Sequence, residues 1–429
     1  MASESLRQRL FGRHHPHRKK VRGYGYFRRF GPGLVTGAAD DDPSGIGTYA
    51  QVGAATGYRL LWAAPYMLPF AYAVEETCAR LALVSGTGLA GLIKKQLPRP
   101  VLLLCVCLVA VANIVNISAD LSSMSAVVVS VVPIGQQLGV VIFGVAIAIA
   151  EIFIPYHQYA RVLRWLCLSL LAYVVVLFVA DVNWSDVVHS ILLPEVEWRR
   201  ADIAAIIALA GTTISPYLFF WQAAEEVEAE NLEDAPPDRG HMRAMRLDVF
   251  GGMFSGIFIM FAIMTTSAAT LHASGVLTVD SPQDAAHALE PIAGSLAGLL
   301  FALGILGTGL LAIPVLAGST AYAVSETFGW RDSLEDRPLQ DRAFYGVIVV
   351  SIGVGIGLSA FGVNPLHALF FAALLNGLAA PVLLLVIWWL ARDKKLLGLW
   401  RSKWWSQWLV GGCAVLMTLT PILWLLAPA

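Results

Sequence analysis

Long apolar segments recur from one end of the 429-residue chain to the other, and they constrain its fold more than any other feature. Many of them reach the roughly 18 residues that a helix needs to cross about 30 Å of hydrocarbon. Charged residues make up 14% of the chain and apolar residues 57%, whereas about a quarter of the residues in soluble domains are charged. These features exclude a soluble fold and predict an all-α, polytopic membrane protein.

Charge clusters and Pro/Gly positions divide the chain into eleven candidate transmembrane helices. The predicted spans lie near 33–53, 60–84, 101–125, 138–155, 161–181, 202–224, 248–270, 293–325, 342–362, 367–391 and 406–427. We therefore predict a basic N-terminal tail over 1–30, a transmembrane core of ten helices over 31–400, and an eleventh transmembrane helix within 401–429.

The distribution of Lys and Arg predicts the orientation of the chain. With the N-terminus in the cytoplasm, 25 of the 29 basic residues lie on the cytoplasmic side and three on the other, as the positive-inside rule requires. The C-terminus then lies outside, and we expect a monomer in the lipid bilayer of the plasma (inner) membrane. The formal net charge of −1 argues against a nucleic-acid partner.

Two predicted helices, the first and the sixth, are interrupted near their middle. The first contains the run 40–45 (DDDPSG) and the sixth the run 211–217 (GTTISPY). Proline removes a backbone donor, and nearby glycine and serine permit unwinding. Paired breaks in two halves are typical of inverted-repeat transporters with a site at the midplane. The prediction is a LeuT-type inverted repeat of five plus five helices, unwound in helices 1 and 6.

Asp42 is the strongest candidate for a cation ligand. A carboxylate beside a proline break lies next to carbonyls freed from helical bonding, and together they make an oxygen-rich cation site. Residues one or two apart point in different directions, so Asp40 and Asp41 cannot share this role equally. We expect one of them to face the vestibule and the other to pair with a neighbour.

Other polar residues in the predicted spans are candidates for the same site or its pathway. They are Thr212, Ser215 and Tyr217 at the second break, Asn113, Asn116 and Asp120 along one face of the third helix, and Asn376 in the tenth. A polar stripe in an apolar helix serves interhelical bonding or lines a pathway. The first role is favoured for Asn113 and the second for Asp120, and both stay open for Asn376.

The remaining acidic groups are expected to be structural. Glu75 and Glu76 fall near the cytoplasmic end of the second helix, where interfacial solvation or pairing with Arg80 accounts for them. The acidic run from Glu225 to Asp238 follows the sixth helix and is interpreted as a solvated loop. Electrostatic focusing of cations at the mouth of a path is the alternative for this loop.

Several short motifs occur in a fixed order between about Gly31 and Gly398. They are Gly31-Pro32-Gly33, Asp42-Pro43-Ser44-Gly45, the run 57–62 (GYRLLW), Asp120-Leu121 and the run 392–398 (RDKKLLG). In this order they resemble the Nramp family of divalent-metal transporters, with its GPG run and DPGN metal motif. The resemblance implies a divalent metal ion as substrate and no other cofactor. It also implies that Asp42 and a carbonyl at Thr212 are ligands.

Departures from the family pattern indicate the substrate. The family has an asparagine at the position of Gly45, and a methionine and a histidine at the sixth-helix positions of Ser215 and Tyr217. It also has a second acidic residue of the third helix at Ser123 and a tenth-helix glutamine at Ala373. Sulfur favours softer ions, whereas carboxylate, carbonyl and water suit Mg²⁺ and Mn²⁺. Lost protein ligands also leave room for the waters that Mg²⁺ retains. The pattern is similar to that of the Nramp-related magnesium transporters. We expect a hydrated hard ion, Mg²⁺ or Mn²⁺, moved by alternating access with weak or no proton coupling.

Other functions remain as alternatives. The first is proton-coupled import of Mn²⁺ or Fe²⁺, with Asp41 or Asp42 and Asp120 replacing the lost histidine. A receptor or sensor on a degenerate transporter fold is weakened because no long soluble signalling domain follows the last helix. An organic-solute symporter would be expected to have a neutral pocket. An enzyme is disfavoured because no nucleophile-base pair or metal-ligand triplet occurs at a shared depth.

Overall fold

The computed structural model describes residues 32–130, 132–154, 168–233, 238–330 and 341–428, and these ranges contain helices but no strand. The longer helices are α1 (Pro32–Asp40), α2 (Pro43–Thr56), α3 (Ala63–Ser85), α4 (Leu89–Gln96), α5 (Arg99–Val129), α6 (Gln136–Phe153), α7 (Leu171–Val179), α8 (Trp184–Leu192), α9 (Arg200–Thr213), α10 (Pro216–Glu233), α11 (Arg239–Ser267), α12 (Ala297–Phe328), α13 (Arg342–Ser359), α14 (Pro365–Ala391) and α15 (Trp404–Leu426). The predicted tail over 1–30 lies outside the described residues.

Each predicted transmembrane span overlaps a helix, although the fifth is described only from residue 168 onward. The first span consists of α1 and α2, and the sixth of α9 and α10. Pro43 and Pro216 are the first residues of α2 and α10. Proline suits this position because its missing N–H would have no partner there. The predicted breaks in the first and sixth membrane helices are confirmed.

Eight helices in the described part of the chain are long and apolar enough to cross a membrane. The number rises to nine if α7 and α8, which meet at an angle of 109°, form one bent span. The first span is divided by its break, and α3 carries three charged side chains, Glu75, Glu76 and Arg80. The number of eleven membrane spans therefore stays a prediction.

Helix α1 packs against α11 at a distance that only glycine allows. A Cβ at Gly37 would lie 2.3 Å from the carbonyl carbon and oxygen of Gly252, and a Cβ at Gly33 would lie 2.5 Å from the backbone nitrogen of Val249. The N–H of Gly33 donates to Asp248 Oδ2 at 2.6 Å. These contacts place the acidic end of α1 beside α11.

Replacing Gly37 by alanine is expected to destabilise the protein by about 1–3 kcal/mol, because the added methyl group meets backbone atoms that cannot rotate away. The thermal unfolding midpoint of the detergent-purified protein measures the effect. Gly346→Ala in α13 is the matched control, since its Cβ would meet nothing within 4 Å and alanine favours a helix. Equal midpoints for the two variants would contradict the close packing of α1.

A second glycine contact joins α9 to α14. A Cβ at Gly211 would lie 2.1 Å from the carbonyl oxygen of Ala373, and a Cβ at Gly377 would lie 2.4 Å from that of Ile207. Ala373, where the family resemblance places a glutamine, is fully buried in this contact. The close approach brings the break after α9 next to Asn376 of α14.

Polar side chains bond the helices at other depths. Asn113 of α5 donates from Nδ2 to three acceptors of α12, namely the Leu316 carbonyl oxygen at 3.0 Å, Ser319 Oγ at 2.8 Å and Thr320 Oγ1 at 2.9 Å. The predicted interhelical role of Asn113 is therefore confirmed.

The predicted pairing of the second-helix acids with Arg80 is confirmed for Glu76 and wrong for Glu75. Arg80 Nη2 lies 3.0 Å from Glu76 Oε2, and Arg246 Nε of α11 lies 2.8 Å from Glu76 Oε1. Glu75 is 2% exposed, and its Oε2 has no hydrogen-bond partner. The difference arises because residues four apart share a helix face, whereas Glu75 lies five residues before Arg80.

The predicted solvated loop after the sixth helix is wrong for its first part. Helix α10 continues to Glu233, beyond the predicted end at 224. Glu226 is fully buried and accepts from Gln222 Nε2 at 3.0 Å, and Glu228 Oε1 accepts from the Tyr322 hydroxyl at 2.8 Å. Because α10 packs against α12, its inward face carries these acids into the protein.

Candidate cation site at the two helix breaks

Asp42 lies in the break of the first membrane helix and caps the N-terminus of α2. Its Oδ1 accepts hydrogen bonds from the Gly45 N–H and the Ser44 hydroxyl, each at 2.7 Å. An aspartate at this position satisfies a backbone donor that the first turn leaves unpaired, and the helix dipole stabilises its charge. Asp42 is 1% exposed. The local sequence therefore holds a carboxylate inside the helix bundle in a defined orientation.

Two asparagines connect Asp42 to neighbouring helices. Asn116 of α5 donates from Nδ2 to Asp42 Oδ2 at 2.9 Å. Asn376 of α14 lies next in line, with its Nδ2 3.5 Å from Asn116 Oδ1. Both asparagines are fully buried. The structure thus brings together three of the sequence candidates, and each oxygen of Asp42 has a hydrogen-bond partner.

At the break in the sixth membrane helix, Ser215 and Tyr217 bond to backbone carbonyls. The Ser215 hydroxyl lies 2.6 Å from the carbonyl oxygen of Gly211 and 2.8 Å from that of Thr212. The Tyr217 hydroxyl donates to the carbonyl oxygen of Ala39 at 2.9 Å. Ala39 belongs to α1, so Tyr217 joins the second break to the first.

Gly45 and Thr212 face each other between the two breaks. A Cβ added at Gly45 would lie 3.2 Å from Thr212 Oγ1 and 3.3 Å from the carbonyl oxygen of Asp40. The Thr212 hydroxyl is buried and has no hydrogen-bond partner, whereas its carbonyl lies within reach of Ser215. The Cβ position of Gly45 is therefore closely bordered by two oxygen atoms and by the ring of Tyr49, and one of the two oxygens is the Thr212 hydroxyl.

Three further carboxylates, those of Asp40, Asp41 and Asp120, are buried near Asp42. Neither oxygen of Asp40 accepts a hydrogen bond. Asp120 lies near the backbone N–H of Ser44 and close enough to Asp42 to interact with it electrostatically. Asp40 takes neither of the two roles expected of Asp40 and Asp41, because it is fully buried and neither of its oxygens has a hydrogen-bond partner. The role of Asp41 stays a prediction. The tight contact of α1 with α11 encloses Asp40, whose Oδ2 lies 3.2 Å from the Cβ position of Gly256.

The candidate side chains at the breaks offer oxygen atoms, and one sulfur atom, Met260 Sδ, lies 3.6 Å from the Thr213 hydroxyl. Among the described residues, no three His, Cys, Asp or Glu side chains converge in a metal-holding group. Carboxylate, hydroxyl and carbonyl oxygens suit hard cations, and Mg²⁺ is usually held by one or two carboxylates with several waters. Oxygen atoms of these kinds are ligands that hard cations accept.

Two buried groups beside the site, Tyr49 and Glu75, were not identified as site residues from the sequence. Tyr49 is fully buried, its hydroxyl lies near the side chain of Thr213, and its ring lies 3.3 Å from the Cβ position of Gly45. Its spacing of four residues from Gly45 was a usable signal, because residues four apart share a helix face. The signal for Glu75 was its failure to share a face with Arg80.

The two helix breaks and the buried polar site between them define a membrane protein of the LeuT-type class, as the sequence predicts. A family model described as Nramp, natural resistance-associated macrophage protein-like, matches residues 33–427. The chain therefore belongs to the Nramp family.

Individual relatives are similar over most of their length. The chain is 27% identical over 299 residues to the divalent metal cation transporter MntH of Erwinia tasmaniensis, with 66% of this chain and 68% of the relative covered. It is 23% identical over 380 residues to MntH of Acidiphilium cryptum, with 86% and 83% covered. The crystal structure of the Eremococcus coleocola manganese transporter, bound to an aromatic bis-isothiourea substituted compound, superposes with a TM-score of 0.72 at 15% identity. That superposition covers 96% of this chain and 88% of the other, and it demonstrates a shared fold.

Proposed function

We propose that this protein transports divalent metal cations across a membrane by alternating access, and that its substrate is a hydrated hard ion, Mg²⁺ or Mn²⁺. The relatives named as divalent metal and manganese transporters support the substrate class. Asp42, Thr212 and backbone carbonyls near the breaks contact the ion directly or through water. Asn116 and Asn376 orient the carboxylate of Asp42.

The observation that carries the proposal is the oxygen-bordered position at Gly45, between Asp42 and Thr212. Glycine provides no ligand there, so water must complete the coordination of an ion. Ions that lose water reluctantly are favoured at such a site, and Mg²⁺ loses water more reluctantly than the softer transition ions. The Ser215 hydroxyl adds no soft donor.

Uptake by purified protein in liposomes tests the proposal. The panel comprises Mg²⁺, Mn²⁺, Ca²⁺, Fe²⁺, Co²⁺ and Cd²⁺, and protein-free liposomes provide the background. We expect Mg²⁺ and Mn²⁺ to enter the protein-containing vesicles. Uptake restricted to Fe²⁺, Co²⁺ or Cd²⁺ would contradict the hard-ion substrate, and binding without any uptake would favour a receptor or sensor.

Ion uptake is expected to proceed with weak or no movement of protons. The sixth-helix histidine of the family is replaced by Tyr217, whose reference pKa near 10 and hydrogen bond to Ala39 keep it protonated. Ser123 stands where the family has a second acidic residue on the third helix, and its hydroxyl donates to the carbonyl oxygen of Asp120 at 2.8 Å. A pH-sensitive dye inside the vesicles measures the result. Acidification that follows Mn²⁺ addition and disappears in Asp120→Asn would instead support the proton-coupled alternative.

Ser215→Met is expected to shift the preference several-fold toward Fe²⁺, Co²⁺ or Cd²⁺, because a thioether offsets their loss of water better than that of Mg²⁺. Ser215→Ala is the matched control, since it removes the hydroxyl without adding sulfur, and its ion ranking should not change. Competition uptake assays measure the ranking. The same ranking in Ser215→Met and in the double variant with Gly45→Asn would argue against the site.

The proposal includes the oligomeric state, the membrane and the orientation of the protein. The transporter works as a monomer in the plasma (inner) membrane, with the basic tail over 1–30 in the cytoplasm and α15 as a separate terminal span. The orientation is supported by the distribution of Lys and Arg. Cysteine labelling from the two sides of the membrane at the N- and C-terminal ends tests it.

A further inference from the structure

The connection between α14 and α15, which contains the motif 392–398 (RDKKLLG), is strongly basic and plays no part in the proposed cation site. Between residues 392 and 403 it carries one acid, Asp393, which accepts from the Lys395 N–H as the cap of the short helix Lys394–Leu397. Among the described residues, no ion pair joins an acid to any of the cations of this connection. The cations are Arg392, Lys394, Lys395, Arg401 and Lys403, and all but Arg401 are exposed.

Large apolar side chains are exposed beside these cations. Leu399 is 100% exposed, Trp404 74% and Trp408 75%. The two tryptophans are four residues apart at the start of α15 and therefore share a helix face. Helix α15 is long and apolar enough to cross a membrane, and tryptophan at the end of such a helix typically lies at the level of the lipid headgroups. Because Lys403 directly precedes Trp404, the basic connection lies at that level as well.

Side-chain contacts hold the connection in a defined position against the helix bundle. Arg80 of α3 donates from Nη1 to the Trp400 carbonyl oxygen at 3.0 Å. Trp388 of α14 donates from Nε1 to the carbonyl oxygen of Gln407 in α15 at 2.9 Å. The guanidinium of Arg392 lies 4.5 Å from the centre of the Trp388 ring. The two ends of the connection therefore lie side by side, and its cations belong to one surface.

We propose that this surface, formed by residues 392–403 and the start of α15, binds the phosphate groups of anionic phospholipids in the adjacent leaflet. Lysine and arginine form charge-assisted hydrogen bonds with phosphate, and a cluster of about four to eight of them beside a membrane helix is typical of anionic headgroup binding. The predicted orientation makes this leaflet the cytoplasmic one.

The exposed apolar side chains favour a lipid over a soluble phosphate compound. Leu399, Trp404 and Trp408 are stabilised when acyl chains replace water around them, and a soluble phosphate compound has no acyl chains. A lipid satisfies both parts of the surface, because its phosphate binds the cations while its chains cover the tryptophans. The inference does not depend on which ion the protein transports.

Thermal unfolding of the full-length protein in detergent tests the proposal. Phosphatidylglycerol, phosphatidylcholine or glycerol 3-phosphate is added at increasing concentration, because a ligand that binds the folded protein raises its unfolding midpoint. We expect phosphatidylglycerol to raise the midpoint of the wild type and the other two compounds to leave it unchanged. Quenching of tryptophan fluorescence by brominated phosphatidylglycerol gives the affinity, and Trp408→Phe should reduce the quenching.

The triple variant Lys394→Gln, Lys395→Gln and Lys403→Gln is expected to bind phosphatidylglycerol at least about tenfold more weakly, because each cation near a headgroup adds to the attraction. These side chains are exposed, so the protein should still fold. Lys395→Gln and Lys403→Gln as single variants, each with a smaller loss, serve if the triple variant does not.

A charge-matched control removes three exposed cations from another connection, with Lys94→Gln, Lys95→Gln and Arg99→Gln at the end of α4 and the start of α5. It should keep the wild-type affinity for phosphatidylglycerol. Equal losses in the two triple variants would overturn the proposal, since general positive charge would then account for the binding. Wild-type affinity in the variant of the α14–α15 connection would overturn it as well. A midpoint raised equally by glycerol 3-phosphate would replace the lipid by a soluble phosphate ligand.

Discussion

Asp42→Ala is expected to abolish divalent-ion uptake, with a decrease of at least about 100-fold. The variant removes the charged oxygen donor at the break, and a hard cation in a largely apolar bundle depends on that charge. It also removes the N-cap of α2, which costs about 1 kcal/mol of stability and leaves the fold intact. Initial uptake rates of Mg²⁺ and Mn²⁺ into proteoliposomes measure the loss.

Asp42→Asn tests the negative charge of Asp42 separately from its role as the N-cap of α2. Asparagine also caps helices well and keeps an acceptor for the Gly45 N–H, so this variant should fold as the wild type does but lose uptake. Asp393→Asn is the matched control, because Asp393 caps the short helix Lys394–Leu397 through the Lys395 N–H at 2.7 Å, away from the two breaks. Wild-type uptake rates in Asp42→Asn would contradict the assignment of Asp42 as a ligand.

Asn116→Leu is expected to weaken ion binding by 10- to 100-fold, the usual effect of losing a group that orients a metal ligand. The variant removes the donor at 2.9 Å from Asp42 Oδ2 and leaves Asn376 without its acceptor. The Oδ2 of Asp42 then has no hydrogen-bond partner to orient it, while the Gly45 N–H and the Ser44 hydroxyl still hold Oδ1. The apparent affinity for Mn²⁺, from the concentration dependence of uptake, measures the change.

Asn113→Leu provides the comparison on the same helix, three residues earlier. It removes bonds to α12 and is expected to lower the unfolding midpoint, while the protein that remains folded keeps its Mn²⁺ affinity. Equal affinity losses in Asn113→Leu and Asn116→Leu would mean that both act through helix packing. In that case the positioning role of Asn116 would be wrong.

The local sequence was sufficient to predict the two helix breaks and the orientation of Asp42. A proline after an aspartate starts a helix and makes the aspartate its cap, and both effects act within four residues. The length of the apolar segments likewise required helices, because only helices and closed barrels satisfy the backbone in lipid. These features depend on neighbours along the chain, so they can be predicted without the fold.

The partners of the polar side chains depended on packing between helices. Asn116 was a candidate from its helix face, but its bond to Asp42 required α5 to cross the break at that depth. Glu226 and Glu228 were misassigned because α10 runs further than hydropathy indicates and packs against α12.

The sequence by itself therefore determined the class of fold, the two breaks and the carboxylate that occupies the first of them. Only the tertiary structure decided that Asp40, Glu75 and Tyr49 are buried in the interior near that carboxylate. The physical reason is the separation along the chain of the residues that take part in each interaction. Capping and helix breaking involve residues a few positions apart, whereas burial and hydrogen bonding between helices depend on close approach, and glycines such as Gly37 and Gly211 set that approach.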